Sequence, residues 1–165
     1  MRLRRFHFWF ILGICLCVAV IAQGPIQPVQ WAGSVATKEP IEAGAKTTFD
    51  LTADIQEGWN VYGLVQPSGG PTPLHVALED NEAVQAAGAV SGTAPTRKHD
   101  PSLDLETQVY TRSFILHLPV QVKQHPAAGK QSVSVSVRFQ ACSDRICQPP
   151  RTVHVTAPIE IRPGT

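Results

Sequence analysis

The segment Val133-Ser-Val-Ser-Val-Arg-Phe-Gln-Ala141 alternates apolar and polar residues without a break. Successive side chains of a β-strand point to opposite faces, so this period gathers Val133, Val135, Val137, Phe139 and Ala141 on one side. Ser134, Ser136, Arg138 and Gln140 fall on the other, toward solvent. A helix would scatter both sets around its axis, so the segment reads as a half-buried strand. The same period recurs in Phe49–Ile55, where Phe49, Leu51, Ala53 and Ile55 alternate with Asp50, Thr52 and Asp54. Val153 and Val155 alternate likewise with Thr152, His154 and Thr156.

Further strand-like runs lie at Val29–Thr37, Trp59–Val65, Leu74–Leu78 and Tyr110–Val122. They are separated by Glu57-Gly58, the Pro67–Pro73 turn cluster and His125–Gly129. Roughly seven or eight short strands imply an all-β fold, an immunoglobulin-like β-sandwich. Glu79–Val90 alone has helix-friendly composition, but Gly88 and the lack of an apolar stripe argue against a full helix. Gly92–Leu105 has few apolar residues and two prolines and is expected to be a long loop, a kind of segment that tends to be functional or disordered.

Arg2, Arg4 and Arg5 precede an apolar run from Phe6 to Ala22, and no acidic residue occurs before Glu39. A basic start followed by a hydrophobic stretch is the layout of a secretory signal, with Val20 and Ala22 at the small-residue positions before an Ala22–Gln23 cleavage. The expected organisation is therefore a signal at residues 1–22 and one domain at residues 23–165. An uncleaved anchor is the alternative, since about 17 apolar residues reach the lower edge of a bilayer span. Cys15 and Cys17 lack the preceding small residue of a lipoprotein signal. With 165 residues and 43% hydrophobic content the chain suits a single core. A formal net charge of +1 gives no electrostatic case for a nucleic-acid partner.

Beyond residue 22 two cysteines remain, Cys142 and Cys147, separated by four residues. An exported pair is expected to be oxidisable. As a staple it is poorly sited: chain-entropy arithmetic gives about 2 kcal/mol for a loop of roughly six residues, against about 4.7 for 100. The pair directly follows the alternating strand and ends in Gln148-Pro149-Pro150, whose fixed φ angles stiffen the chain. Such a loop can hold two sulfurs at bonding distance in either redox state, as thiol–disulfide exchange requires. A structural disulfide pinning a hairpin remains the other reading.

Zinc would need two of the singly scattered histidines His75, His99, His117, His125 and His154, none within three to five residues of another. Copper lacks thioether ligands, the one methionine being Met1. No Gly-x-Ser-x-Gly, His-Glu-x-x-His or phosphate loop occurs. No metal or organic cofactor is expected, and any enzymatic chemistry, a protein-disulfide reductase activity, falls to the cysteines.

The run Phe139-Gln-Ala-Cys-Ser-Asp-Arg-Ile-Cys-Gln-Pro-Pro-Arg151 resembles the active-site hairpin of the DsbD N-terminal domain family of thiol:disulfide interchange proteins. Gly58-Trp-Asn-Val-Tyr62, then Pro67–Pro73, then Tyr110 with Leu118-Pro-Val120, follow that family's other segments in order, roughly from Val29 to Ile161. The resemblance implies an immunoglobulin-like sandwich whose cysteine pair carries reducing equivalents. The donors it implies are a membrane electron transporter and a thioredoxin-like protein or domain, and the acceptors are oxidised periplasmic proteins. It implies a periplasmic location, membrane-anchored if the signal is retained.

On that basis Cys147 is expected to be the exchanging sulfur and Cys142 the resolving one. A cap loop is expected over His99–Leu105, with Leu103 shielding the sulfurs, Asp100 beside them and Tyr62 lining the site. The alternatives for Tyr62, Trp31 and Trp59 are ordinary core, and for Asp100, Asp104 and Glu106 solvated loop carboxylates. Two features depart from the family: the spacing is four residues rather than five, and Asn60 stands where a second tyrosine occurs. The sequence runs to Thr165, so the expectation is either that separate proteins supply the electrons or that the domain has kept the fold and taken another task. The alternative function is a non-catalytic binding module with a structural disulfide, contacting its partner through Gly92–Leu105 or a sheet edge.

Overall fold

The alternating segments fold into strands that bury their apolar face. The structure, a computed structural model, describes residues 27–101 and 103–163. The expected signal at residues 1–22, with Cys15, Cys17 and the Ala22–Gln23 bond, lies outside them. In chain order the first six strands are β1 (Val29–Val35), β2 (Lys46–Ile55), β3 (Trp59–Tyr62), β4 (His75–Leu78), β5 (Val84–Ala86) and β6 (Ser91–Gly92). The remaining six are β7 (Thr96–Asp100), β8 (Leu105–Tyr110), β9 (Phe114–Val122), β10 (Gly129–Phe139), β11 (Ala141–Ser143) and β12 (Arg151–Ile161).

These strands pair antiparallel in three sheets: β1-β2-β9-β5 with β6 beside β9, then β12-β10-β4, then β11-β3-β8-β7. The fold is all-β, as expected from the alternating segments. Phe49 and Leu51 of β2, Leu116, Leu118 and Val120 of β9, and Val133, Val135, Val137 and Phe139 of β10 share one buried core. Removing such faces from water is the main term that stabilises the fold. Gly92 illustrates the close packing: its φ is 139°, and a Cβ there would lie 2.3 Å from the Ile115 carbonyl oxygen. Only glycine fits.

The third sheet carries the cysteines. At Gln140 the chain leaves the second sheet, where Phe139 pairs with Arg151, and enters the third, where Cys142 pairs with Asn60. Gln140 was expected on the solvent face but is half-buried. Its Oε1 accepts from the Thr72 N–H and its Nε2 donates to the Gln148 carbonyl, so it clamps the sheet crossing rather than facing water.

Two expectations need correction. Gly92–Leu105 is not a long loop: β7 pairs along its whole length with β8, leaving only a tight tip between Asp100 and Leu105. Its Thr-Arg-Lys-His-Asp sequence hides the strand because an edge strand held by backbone hydrogen bonds needs no apolar face. Tyr110–Val122 is two strands of different sheets, divided at Thr111–Ser113. Glu79–Val90, where a full helix was argued against, holds the short strand β5. Among the described residues no helix is long and apolar enough to cross a membrane.

Candidate functional site

Strand β11 ends in a tight reversal that returns at Cys147. The Ser143 N–H donates to the Ile146 carbonyl at 2.8 Å, and the Gln148 N–H donates to the Ala141 carbonyl at 2.9 Å. Cys142 and Cys147 lie between these two bonds, directly opposite one another. They therefore form a non-hydrogen-bonded antiparallel pair, the position where facing side chains come closest. The sulfurs are joined in a disulfide, with Cα atoms 4.0 Å apart. Ser143 Oγ accepts from the N–H groups of Arg145 and Ile146, which shapes the turn at Asp144–Arg145.

The two cysteines differ sharply in environment. Cys142 is 3% exposed and packs with Tyr62 of β3 and Val109 of β8. Cys147 is exposed, and its neighbour Ile146 is an isoleucine 60% open to solvent. A nucleophile arriving from solution meets Cys147 first.

A cleft of about 660 Å³ opens onto the disulfide. Cys142 and Cys147 form one side, and Asp100, Pro101 and Leu103 of the β7–β8 tip form another. Leu103 lines this cleft and is 42% exposed. Asp104 at the same tip has φ 52°, a left-handed conformation that aspartate tolerates, and it turns the chain back into β8. The structure thus brings together all five residues singled out from the sequence: Cys142, Cys147, Leu103, Asp100 and Tyr62 all line the cleft.

Tyr62 is 4% exposed, and its Oη donates to Asp100 Oδ2 at 2.9 Å. Burial and, after it, the Asp100 carboxylate push its phenol up to about 12, so it is a hydrogen-bond donor throughout the neutral range. Trp31 and Trp59 instead pack against the main core. Asp104 and Glu106 both face His99, at 3.6 and 3.4 Å, and neither lines the cleft. His117 and His154 sit on outer sheet faces against Asp50 and Glu79.

The sequence reading missed Lys98 and Ile146. Lys98 Nζ lies 3.7 Å from Asp144 Oδ1, which links the β7–β8 hairpin to the cysteine turn. Residues so distant along the chain carry no local signal of such a pairing. Ile146 was legible in principle, as the one large apolar residue between the cysteines.

Comparison with known proteins bears on this site. The family model described as thiol:disulfide interchange protein DsbD, N-terminal, matches residues 30–158. No curated protein sequence matches the chain. Among solved structures, the reduced N-terminal domain of DsbD from Neisseria meningitidis is similar at 14% identity and a TM-score of 0.46, over 73% of this chain and 82% of that one. The N-terminal periplasmic domain of ScsB from Proteus mirabilis is similar at 13% identity and a TM-score of 0.46, over 76% of this chain and 44% of that one.

Proposed function

The chain belongs to the DsbD N-terminal family of thiol:disulfide interchange proteins, and from that membership we propose that it is a periplasmic carrier of reducing equivalents working through Cys142 and Cys147. The observation that carries this reading is the asymmetry of the pair: an exposed sulfur and a buried one, facing each other in a turn whose backbone hydrogen bonds flank the disulfide.

In the reduced form the Cys147 thiolate attacks a disulfide sulfur of an oxidised exported protein. A new S–S bond forms, the old one breaks, and the acceptor's second sulfur leaves as a thiolate. Cys142 then loses its proton and attacks the Cys147 sulfur, which re-forms the intramolecular disulfide and releases the acceptor as a dithiol. Two electrons have passed to the acceptor. A thioredoxin-like protein or domain, itself reduced by a membrane electron transporter, restores the dithiol by the reverse exchange. The hairpin bonds persist in both states, which keeps Cys142 within reach of the mixed disulfide.

The remaining residues of the cleft serve access. Leu103 acts as an apolar cover over the sulfurs, and Asp100 holds the base of that cover through Tyr62. Residues 1–22 direct export, and residues 23–165 form the working domain. Trapping tests the scheme. With Cys142→Ser, the Cys147 thiol should accumulate a mixed disulfide with an oxidised thioredoxin-like protein, whereas Cys147→Ser should accumulate none. Equal trapping by both variants would overturn the assignment of the exchanging sulfur.

A further inference from the structure

Strand β11 is the last strand of the third sheet on the cysteine side, and the returning arm of the turn lies beyond it, joined through the single bridge Cys142–Cys147. The two bonds that flank this bridge use the N–H groups of Ser143 and Gln148 and the carbonyls of Ile146 and Ala141. All four groups point inward across the turn. In an extended chain the main-chain groups of alternate residues point to opposite sides, so the N–H and C=O of Cys147 point outward, away from β11. Neither has a partner among the described residues. Cys147 is exposed, as are Asp144, Arg145 and Ile146 before it and Pro149 and Pro150 after it, so the outward side is open.

This open edge is one residue wide. Pro149 and Pro150 have no N–H to offer, and Gln148 spends its N–H inward. On the other side the N–H groups of Arg145 and Ile146 are held by Ser143 Oγ. An edge with unpaired main-chain groups is a template for another chain, and prolines beside it keep the pairing from extending. A segment laid here can take one register, centred on Cys147.

The direction of attack coincides with this edge. Cys142 and Cys147 face each other, so the disulfide spans the turn, and the sulfur that displaces Cys142 from Cys147 comes in line from beyond the outer side. The inner side is closed, because Cys142 is buried against Tyr62 and Val109. A partner bringing its sulfur to Cys147 meets the outward N–H and C=O at the same place.

Resting on the exchange reading above, we propose that a thioredoxin-like partner docks by pairing one extended residue of its own main chain with Cys147. The C=O of that residue accepts from the Cys147 N–H, and its N–H donates to the Cys147 C=O. Strand addition of this kind draws its affinity from main-chain bonds. It fixes where the partner's sulfur arrives without demanding a particular partner sequence.

Amide hydrogen exchange at Cys147 reads the dock directly. In the full ¹⁵N-labelled chain carrying Cys15→Ser, Cys17→Ser and Cys142→Ser, Cys147 is the one thiol left and is activated as its thionitrobenzoate disulfide. The thiolate of a thioredoxin whose resolving cysteine is serine attacks the Cys147 sulfur, and thionitrobenzoate leaves. Cysteamine gives a small reference adduct in the same way. The Cys147 N–H is expected to move downfield and to exchange roughly tenfold or more slowly in the thioredoxin complex than in the cysteamine adduct. Ile146→Ser should keep that protection, since main chain makes the contact; its loss there would make the exposed side chain the anchor and overturn the proposal. A Cys147 amide that exchanges equally fast in both adducts would overturn the dock alone. Oxidised wild type that reduced thioredoxin leaves oxidised would overturn the exchange reading itself, and the dock with it.

Discussion

Tyr62 donates a hydrogen bond from Oη to Asp100 Oδ2 at 2.9 Å, joining the strand beside the cysteine turn to the base of the β7–β8 hairpin. Asp100 begins the tip that carries Leu103 on the wall of the disulfide cleft, so this bond ties that tip to β3, and under the proposed function it steadies the cover over the sulfurs. Removing it in Tyr62→Phe should cost about 1–2 kcal/mol of stability. Alkylation of the reduced cysteines should become several-fold faster, as read by mass spectrometry of a timed quench. A rate unchanged from wild type would separate Tyr62 from control of access.

Burial of Tyr62, and after it the same bond, sets an alkaline limit. Tyr62 ionises near 12 in the folded protein, and Tyr110 is also raised by burial. In the unfolded chain both phenols ionise near the usual 10. The stability Tyr62 contributes is therefore present below pH ~10 and is lost as pH rises toward ~12, and Tyr110 acts in the same direction. Phenolate absorbance of the folded protein should be smaller at pH ~10 than that of the unfolded chain, with the Tyr62 share developing only near 12 or on unfolding, and Tyr62→Phe should blunt the loss of stability over that window.

Leu103 is half open to solvent, so Leu103→Ala should change stability by no more than about 0.5 kcal/mol. Its effect should fall on access, with faster alkylation of Cys147 than in wild type. In the reduced wild type Cys147 should be alkylated before Cys142, in line with their exposed and buried positions.

Phe139 is wholly buried and touches both Trp31 and Arg151. Phe139→Ala should cost about 3–5 kcal/mol by urea denaturation. By contrast, opening the disulfide should cost only about 2 kcal/mol, the entropy of its short loop. A larger loss on reduction would mark the pair as a structural staple.

The alternating residues of β2, β10 and β12 made their strands readable, because one face of each meets the core. β7 was unreadable for the opposite reason: Thr96–Asp100 has little to bury, and its partner β8 supplies the order. Gln140 looked like one more outward residue of β10, since nothing local announces that the chain changes sheets there. At the site, Cys142 and Cys147 stood out by spacing and by the prolines beyond them, and Tyr62, Asp100 and Leu103 through family resemblance. The Lys98–Asp144 link arises only from tertiary packing and had no signature in the chain.

The reduction potential of Cys142–Cys147 in the folded protein tests the account most directly, equilibrated against graded dithiol buffers and read by alkylation mass. A carrier should titrate well above about −300 mV, with both sulfurs alkylated while the fold persists. A pair that stays oxidised until the protein unfolds would contradict the account and make the disulfide a structural one.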